Sequence, residues 1–278
     1  MPFLSSLPTV DPQSVVDGAA LWNNGFKNYL INGDFGINQR AFAGGALAAG
    51  IYGFDRWKAG TGGCNISLSA GVLTHTSGPL VQVIEAPNLA GETITVSVDG
   101  LSGGSLDVNV EGVTGVIAAS ASRAGVTLTV PSTSTGNVTV TLTPASGAVT
   151  YKRVQVELGS VATGFGWRPL AAELPLALRY YWRGVPSGSG INTNIYTGSA
   201  YQSFFIQFPA RMRAIPAASQ TGVSISAALD PTVGIVLSPS VNGCRILVMS
   251  VSSGGNPNAY LSWDSNGVTS FFEMDAEL

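Results

Sequence analysis

Side chains able to carry nucleophilic catalysis are scarce in this chain. Hydrolysis of the serine type needs a histidine as general base, and His75 is the only histidine among the 278 residues. It lies in the alternating run Val72–Thr76, which predicts an outward-facing or edge position. Serine-type hydrolysis is therefore disfavoured.

Paired carboxylates offer a second kind of chemistry, the cleavage of glycosidic bonds. Several acidic residues are available, but their spacing singles out no pair: Asp55, Glu85, Asp99, Asp107 and Glu111. No group of cysteines and histidines has the spacing of a zinc site. The sequence therefore predicts a protein that is not an enzyme, with no catalytic residue, no cofactor and no metal site.

Aromatic side chains in exposed loops are candidates for sugar binding, because the C–H faces of sugars stack on aromatic rings. Such residues flank a Thr-Gly-Ser turn at 197–199 or follow a loop rich in glycine, serine and asparagine at 252–258. With their polar neighbours they form the predicted ligand-binding set: Tyr196, Tyr201, Tyr260, Trp263, Asp264 and Asn266. Packing in a core or a subunit interface is the competing interpretation.

A second aromatic group follows an Asn-Gly dipeptide at 32–33, which predicts a chain reversal because both residue types tolerate positive φ. Tyr52, Phe54 and Trp57 form this group and could also face a sugar. Burial in a core is the favoured interpretation, since large aromatic residues are mostly buried. The opening of the chain is therefore expected to build a sheet wall.

The composition is apolar and poor in charge. Hydrophobic residues make up 45% of the chain and charged residues 10%, with 13 basic and 16 acidic side chains. Average soluble domains have roughly 25% charged residues. Nucleic-acid binding is not expected, because it needs clustered lysine and arginine and the basic residues of this chain are scattered. So low a charge indicates a surface of neutral hydrogen-bonding groups and apolar areas covered by other copies of the chain.

The cysteines, the apolar runs and the first residues indicate in which compartment the protein is made. Cys64 and Cys244 are far apart and are expected to be free, buried thiols. No apolar run of about 20 residues exists, so membrane insertion is not expected. The start, MPFLSSLPTV, lacks the basic region of a secretion signal. Synthesis in the cytoplasm is therefore expected, with export only as part of a larger particle.

The chain divides into four predicted parts. Residues 1–26 form an arm with a short helix that starts at Asp11-Pro12 and needs a partner, either the body of the protein or other copies. Residues 27–168 form an all-β sandwich or jelly roll, because apolar residues alternate in six short runs. Those runs are Cys64–Leu68, Ile94–Val98, Leu106–Val110, Val126–Val130, Val138–Leu142 and Val154–Leu158.

The second half of the chain is predicted to hold a connector and another β-sandwich. At 169–183 a short helix is expected, with Pro175 in its first turn and Leu174, Leu178 and Tyr181 on one side. Residues 184–278 alternate again and form the second sandwich, with the predicted ligand-binding loops. The fold class is therefore all-β, with two jelly-roll-like sandwiches, a connecting helix and a helical arm.

Several segments in order resemble a recurrent module of bacteriophage tail fibres and related tail proteins. They are NYLINGDFGINQR, YGFDRWKAG, VQVIEA and RVQVELGSVATGFGWRPL, and RYYW, FPARMRA and FFEMDAEL resemble the distal domains of such fibres. The resemblance covers 28–278 and implies a carbohydrate-binding-like jelly roll in a homotrimeric virion protein. It also allows a structural calcium ion at Asp34 and Glu157, although a turn-capping role suits Asp34 better.

The resemblance implies a tail fibre that recognises a host-surface polysaccharide or lipopolysaccharide. The arm would attach to other virion tail proteins or contact the other chains of the trimer, and residues 184–278 would form the receptor-binding tip. Two alternatives stay open. One is a collar, baseplate or head fibre that only docks to other subunits, and the other is a cell-encoded carbohydrate-binding protein.

Overall fold

The strands of the first half form a sandwich of two antiparallel sheets. The computed structural model describes residues 27–184, 191–194, 201–222, 224–227, 234–249, 258–262 and 271–278. The six-stranded sheet contains, in spatial order, β1 (Gly45–Leu47), β3 (Cys64–Ser69), β4 (Val72–Ser77), β11 (Val149–Leu158), β6 (Thr93–Ser102) and β9 (Ala124–Thr129). The five-stranded sheet contains β2 (Lys58–Ala59), β5 (Leu80–Ile84), β10 (Val138–Pro144), β7 (Leu106–Val110) and β8 (Val113–Ile117).

Alternating apolar side chains from both sheets fill the space between them. On β7 and β10 the inward residues are buried completely or nearly so: Leu106, Val108, Val110, Val138, Val140 and Leu142. Their neighbours in sequence face outward, as the two-residue period of a strand requires. The predicted all-β, jelly-roll-like fold is confirmed.

The six-stranded sheet is also covered on its outer side. Asn28 bonds to the backbone of Val154 and Val156, and the amide N–H of Gly166 donates to Gln155 at 2.6 Å. These flanking segments bury the Gln155 side chain, although its sequence position alternates with that of the core valines. Leu158 was expected to share the core face with them, but its side chain is 41% exposed at the end of β11.

Glycine allows the two sheets to approach each other at one edge. Gly115 lies in β8, and a Cβ atom there would come within 2.6 Å of the Val126 side chain on β9. The same atom would lie 3.0 Å from Leu128. A larger residue would therefore push the sheet edges apart.

The connector holds helix α1 (Leu170–Leu178), which begins earlier than the sequence suggested. Pro169 caps the helix, and its carbonyl accepts hydrogen bonds from Ala172 and Glu173. Pro175 therefore lies inside the helix, so its expected place in the first turn was wrong. Tyr181 is not on the helix face, because it begins the next strand.

The described residues of the second half also form β structure, with three antiparallel sheets of three strands each. The first contains β12 (Tyr181–Gly184), β20 (Phe271–Asp275) and β15 (Ala217–Thr221). The second contains β13 (Ile191–Asn194), β19 (Asn258–Ser262) and β16 (Ser224–Ala227), and the third β14 (Tyr201–Gln207), β18 (Gly243–Met249) and β17 (Gly234–Pro239).

A second apolar cluster is formed by the first and third of these sheets, by the segments next to their strands and by the end of α1. It includes Leu178, Trp182, Phe208, Met212, Ile246, Phe272 and Met274. Cys244 lies in this cluster and Cys64 in the first, and both thiols are free and buried, as predicted. The division of the chain into independent domains stays a prediction, and the arm at 1–26 lies outside the described residues. Within the described part, no helix is long and apolar enough to cross a bilayer.

Candidate functional site

Most of the predicted ligand-binding set falls outside the residues that the structure describes. Tyr196, Trp263, Asp264 and Asn266 lie there, and only the backbone is described for the other two. Tyr201 begins β14 opposite Met249 on β18. Tyr260 lies in β19, between Asn192 and Ser226 on the neighbouring strands. The two tyrosines belong to different sheets, so their assignment to one site stays a prediction.

The motif at the start of the described chain forms a buried polar hub. Asn32 has φ of 59°, as the predicted turn requires, and its side chain bonds to Ile37 and to the carbonyl of Asp55. The indole N–H of Trp57 donates to the carbonyl of Asn32 at 2.8 Å. Trp57 is fully buried, so the core interpretation of that ring is confirmed.

Gly33 is required for a different reason from the one that the sequence suggested. A Cβ atom on Gly33 would lie 2.3 Å from the carbonyl oxygen of Val154. The carbonyl of Gly33 also accepts a hydrogen bond of 2.8 Å from the amide of Val154. Close approach to β11, and not positive φ, explains this glycine.

Arg168, near the end of the segment RVQVELGSVATGFGWRPL, contacts the same buried polar hub. The guanidinium of Arg168 donates to the carbonyls of Asn28 and Leu30 and pairs with Glu173 on α1. The carboxylate of Glu173 in turn accepts from the backbone N–H of Asn32. Two segments far apart in sequence, 28–32 and 168–173, are therefore joined by charge-assisted hydrogen bonds, which are the stronger kind.

A buried ion pair connects the sandwich to the segment that follows the last strand, β20. Arg56 is only 1% exposed and pairs with Glu277. It also donates to the carbonyl of Val83, and its guanidinium lies 3.5 Å from the ring centre of Tyr180. Burial raises the pKa of Glu277, while the nearby Arg56 and Arg40 oppose the shift.

Arg40 extends this junction toward the surface. Its guanidinium lies 3.6 Å from the ring centre of Tyr181 and 3.3 Å from Asp275. Asp55 is 3.7 Å away, and burial raises the pKa of its carboxyl group. A cleft of about 380 Å³ opens beside Arg40, but the hydroxyl of Tyr52 at its wall already donates to Leu278. The charged side chains at this junction pair with one another and stabilise the contact between the sandwich and the C-terminal segment.

His75 has a structural role, and its predicted outward position was wrong. It is fully buried, with Nε2 at 2.7 Å from the carbonyl of Gly78 and Nδ1 at 3.0 Å from the hydroxyl of Tyr151. Because a carbonyl only accepts, Nε2 carries the proton and Nδ1 accepts from the tyrosine. Burial lowers the pKa of His75 to about 4, so the ring is neutral at pH 7.

The two residues considered for calcium have other partners. Asp34 accepts from the backbone N–H of Gly36 at 3.2 Å, which is the predicted turn-capping role. Glu157 accepts from the amide of Thr163 at 2.9 Å and from Gln155 at 2.7 Å. Among the described residues, no three His, Cys, Asp or Glu side chains form a group that could hold a metal ion.

An open groove on the outer face of the five-stranded sheet has polar groups with no internal role. It has a volume of about 460 Å³ and lies over β8, β7 and β10. Strand register places Val116, Asp107 and Thr143 side by side across the three strands. The next row contains Thr114 and Asn109. We call these five residues, the four polar side chains together with Val116, the polar row.

The polar row is suited to binding a hydroxyl-rich molecule. Within the part of the chain that the structure describes, no hydrogen bond engages the side chains of Asp107, Thr114 or Thr143. Asn109 accepts one bond of 3.0 Å from the amide of Gly112, which leaves its NH₂ group for a ligand. Val116 is 56% exposed and supplies an apolar contact beside them. Asp107 supplies the charge in the row.

The polar row could not be located from periodicity alone. Alternation indicates that Asp107 and Asn109 face opposite to the core valines of their strand. Their neighbours depend on the pairing of β7 with the nearby strand β8 and with β10, whose paired residues are 30 or more positions away. Outward-facing polar residues at alternate positions of several runs were the available signal.

Comparison with known proteins identifies no family for this chain. No protein family and no curated protein matches it. A solved structure titled "CBM4 structure and function" matches 46% of this chain and 98% of its own length, at 17% identity and a TM-score of 0.29. Salicylate 1,2-dioxygenase from Pseudoaminobacter salicylatoxidans matches 72% of this chain and 71% of its own, at 12% identity and a TM-score of 0.13. At such scores, neither likeness supports an inference about function.

Proposed function

We propose that this protein is a structural component of a bacteriophage virion, a tail fibre that recognises a glycan on the host cell surface. The observation that carries the proposal is the convergence of the motifs that resemble tail-fibre modules. Asn32, Trp57 and Arg168 come from three separate motifs, yet their contacts form one connected hub. Motifs that depend on one another in this way are expected to recur together as a module.

Glycan binding fits the neutral outer surface of the sandwich. Sugars present many hydroxyl groups, and amide, hydroxyl and carboxylate side chains bond to them with directional specificity. The polar row offers these groups together in one open groove. The aromatic set Tyr196, Tyr201, Tyr260 and Trp263 remains the proposed site at the C-terminal tip.

The proposed assembly is a homotrimer on the phage tail, made in the host cytoplasm. In it, the arm at 1–26 attaches the protein to other virion tail proteins. A single shallow groove binds weakly, but three copies on one rigid fibre act at high effective concentration. Host polysaccharide or lipopolysaccharide is the proposed partner, with no role for nucleic acid or membrane insertion.

The test measures binding of the purified protein to immobilised bacterial lipopolysaccharides and capsular polysaccharides. We expect binding to at least one of them that changes little with salt, because neutral hydrogen bonds are not screened. Failure of the assembled protein to bind any surface glycan or host cell would contradict the proposal. It would favour the alternative, a virion component that only docks to other subunits.

Two variants locate the binding site. Asp107→Ala removes the charged acceptor of the polar row and is expected to weaken binding at least about 10-fold if the row contacts the glycan. Trp263→Ala should have a comparable effect if the tip contains the site. Asn65→Ala, on the six-stranded sheet, is the matched control and should bind as the unaltered protein does.

A further inference from the structure

Exposed apolar side chains are concentrated in one short segment of the surface. Of the eight large hydrophobic residues with high exposure in the described residues, four lie between positions 158 and 170. They are Leu158, Val161, Trp167 and Leu170, with exposed fractions of 41%, 65%, 67% and 62%. We call these four residues the apolar strip. Large apolar side chains exposed close together along the chain, and not scattered singly, indicate an interaction surface.

The described chain begins beside this strip. Lys27 donates from Nζ to the carbonyl of Gly164 at 2.8 Å and pairs with Glu157 at 3.6 Å. A Cβ atom on Gly166 would lie only 3.4 Å from the Cβ of Lys27. Residue 27 is therefore fixed against the segment that separates Val161 from Trp167.

The sequence just before Lys27 has the composition of a matching partner. Val15, Val16, Ala19, Ala20 and Trp22 recur at helical spacing after the Asp-Pro start at 11–12. A helix of this length is marginal in water and needs an apolar surface to be stable. Two of its side chains, Val15 and Val16, are β-branched and add to this need because they lower helix propensity.

Chain length restricts where such a helix can lie. Residues 23–26 alone separate Trp22 from Lys27, and the five steps between their Cα atoms span at most about 18 Å. Because Lys27 is anchored beside the strip, the end of the helix must remain near it. The strip is thus within reach of the same chain without any change in the described fold.

We propose that the amphipathic segment 12–22 of the same chain docks with its apolar face on the apolar strip. The proposal is independent of glycan recognition, because the strip shares no residue with the polar row. It places residues 12–22 on the body of their own chain and leaves residues 1–11 for attachment to other virion proteins.

Cysteine cross-linking in the full chain tests this geometry. The native thiols are buried, so a short bismaleimide reacts with introduced cysteines. Ala20→Cys combined with Ala171→Cys, which is exposed beside Leu170, should cross-link within one chain. The matched control combines Ala20→Cys with Ala217→Cys in β15 and should not. No cross-link above this control would overturn the proposal.

Single-cysteine chains distinguish an arm that docks on its own chain from an arm that docks on a second copy. Chains carrying only Ala20→Cys are co-expressed with differently tagged chains carrying only Ala171→Cys. We expect no cross-linked pair of chains from this mixture. A cross-linked pair would overturn the proposal, because the strip would then be covered by the arm of a second copy.

Proteolysis adds a readout that needs no new cysteine. Chymotrypsin cleavage after Trp22 should be at least 10-fold faster in Trp167→Ser/Leu170→Ser than in the unaltered protein. The control Phe205→Ser/Ile215→Ser removes two equally exposed apolar residues elsewhere and should leave the cleavage rate unchanged. Equal rates in the two double variants would overturn the proposal.

Discussion

Replacement of His75 by glutamine should make the free energy of unfolding of this protein less dependent on pH in the acid range. His75 is fully buried and neutral, held between Gly78 and Tyr151. Its pKa is about 4 in the folded protein because burial disfavours the charged ring. In the unfolded chain the pKa returns to about 6.5.

The sign follows from the protons bound in each state. Between pH 6.5 and pH 4 the unfolded chain binds more protons at His75 than the folded protein does, so acid favours unfolding. The pKa difference corresponds to about 3 kcal/mol, since each pKa unit is worth about 1.4 kcal/mol. The stability that neutral His75 confers is complete above about pH 6.5 and falls progressively toward pH 4.

Urea unfolding at fixed protein concentration, followed at several pH values, measures the effect. We expect the free energy of unfolding to fall by about 3 kcal/mol more in the unaltered protein than in His75→Gln between pH 7.5 and pH 4. Other titrating groups are common to both proteins and cancel in the difference. Parallel pH profiles would refute the assignment of a buried, neutral histidine.

Two further substitutions test contacts between parts of the fold. Arg56→Met removes one of the two cations beside the buried Glu277 and leaves only Arg40, 3.5 Å away. It should cost about 3 kcal/mol in urea unfolding, while Arg56→Met/Glu277→Gln should recover most of the loss; equal losses in both would contradict the ion-pair explanation. Gly115→Val forces a side chain against Val126 and should cost about 1–3 kcal/mol, so an unchanged thermal midpoint would contradict the close approach of the sheet edges. Gly136→Val, at a glycine with open space around its Cβ position and no positive φ, is the control for added bulk alone.

Strand content could be predicted from sequence because the core obeys a two-residue period. Leu106, Val108 and Val110 alternate with polar residues, and burial follows that alternation. The turn at Asn32 and the burial of Trp57 were also predictable, since residue type alone indicates each.

Long-range partners could not be predicted in the same way. His75 was expected to face outward, but its partner Tyr151 lies on a strand 76 residues away. Arg56 and Glu277 are separated by 221 residues, and no local pattern links them. Pairing of distant segments decides whether a polar side chain is a surface group or a buried link.

The candidate site was also predictable only where a local pattern decides the result. Alternation predicts that Asp107 faces away from the core, but only strand order places it beside Val116 and Thr143. Whether Tyr201 and Tyr260 bind a ligand stays a prediction, since the two residues lie in different sheets.

Competition with virion attachment tests the central claim most directly. Purified, assembled protein is added to host bacteria before the phage whose particles contain it, and the rate of particle adsorption is measured. The proposal predicts saturable inhibition that Asp107→Ala or Trp263→Ala weakens and Asn65→Ala does not. Undiminished adsorption at saturating protein would contradict receptor recognition by this chain.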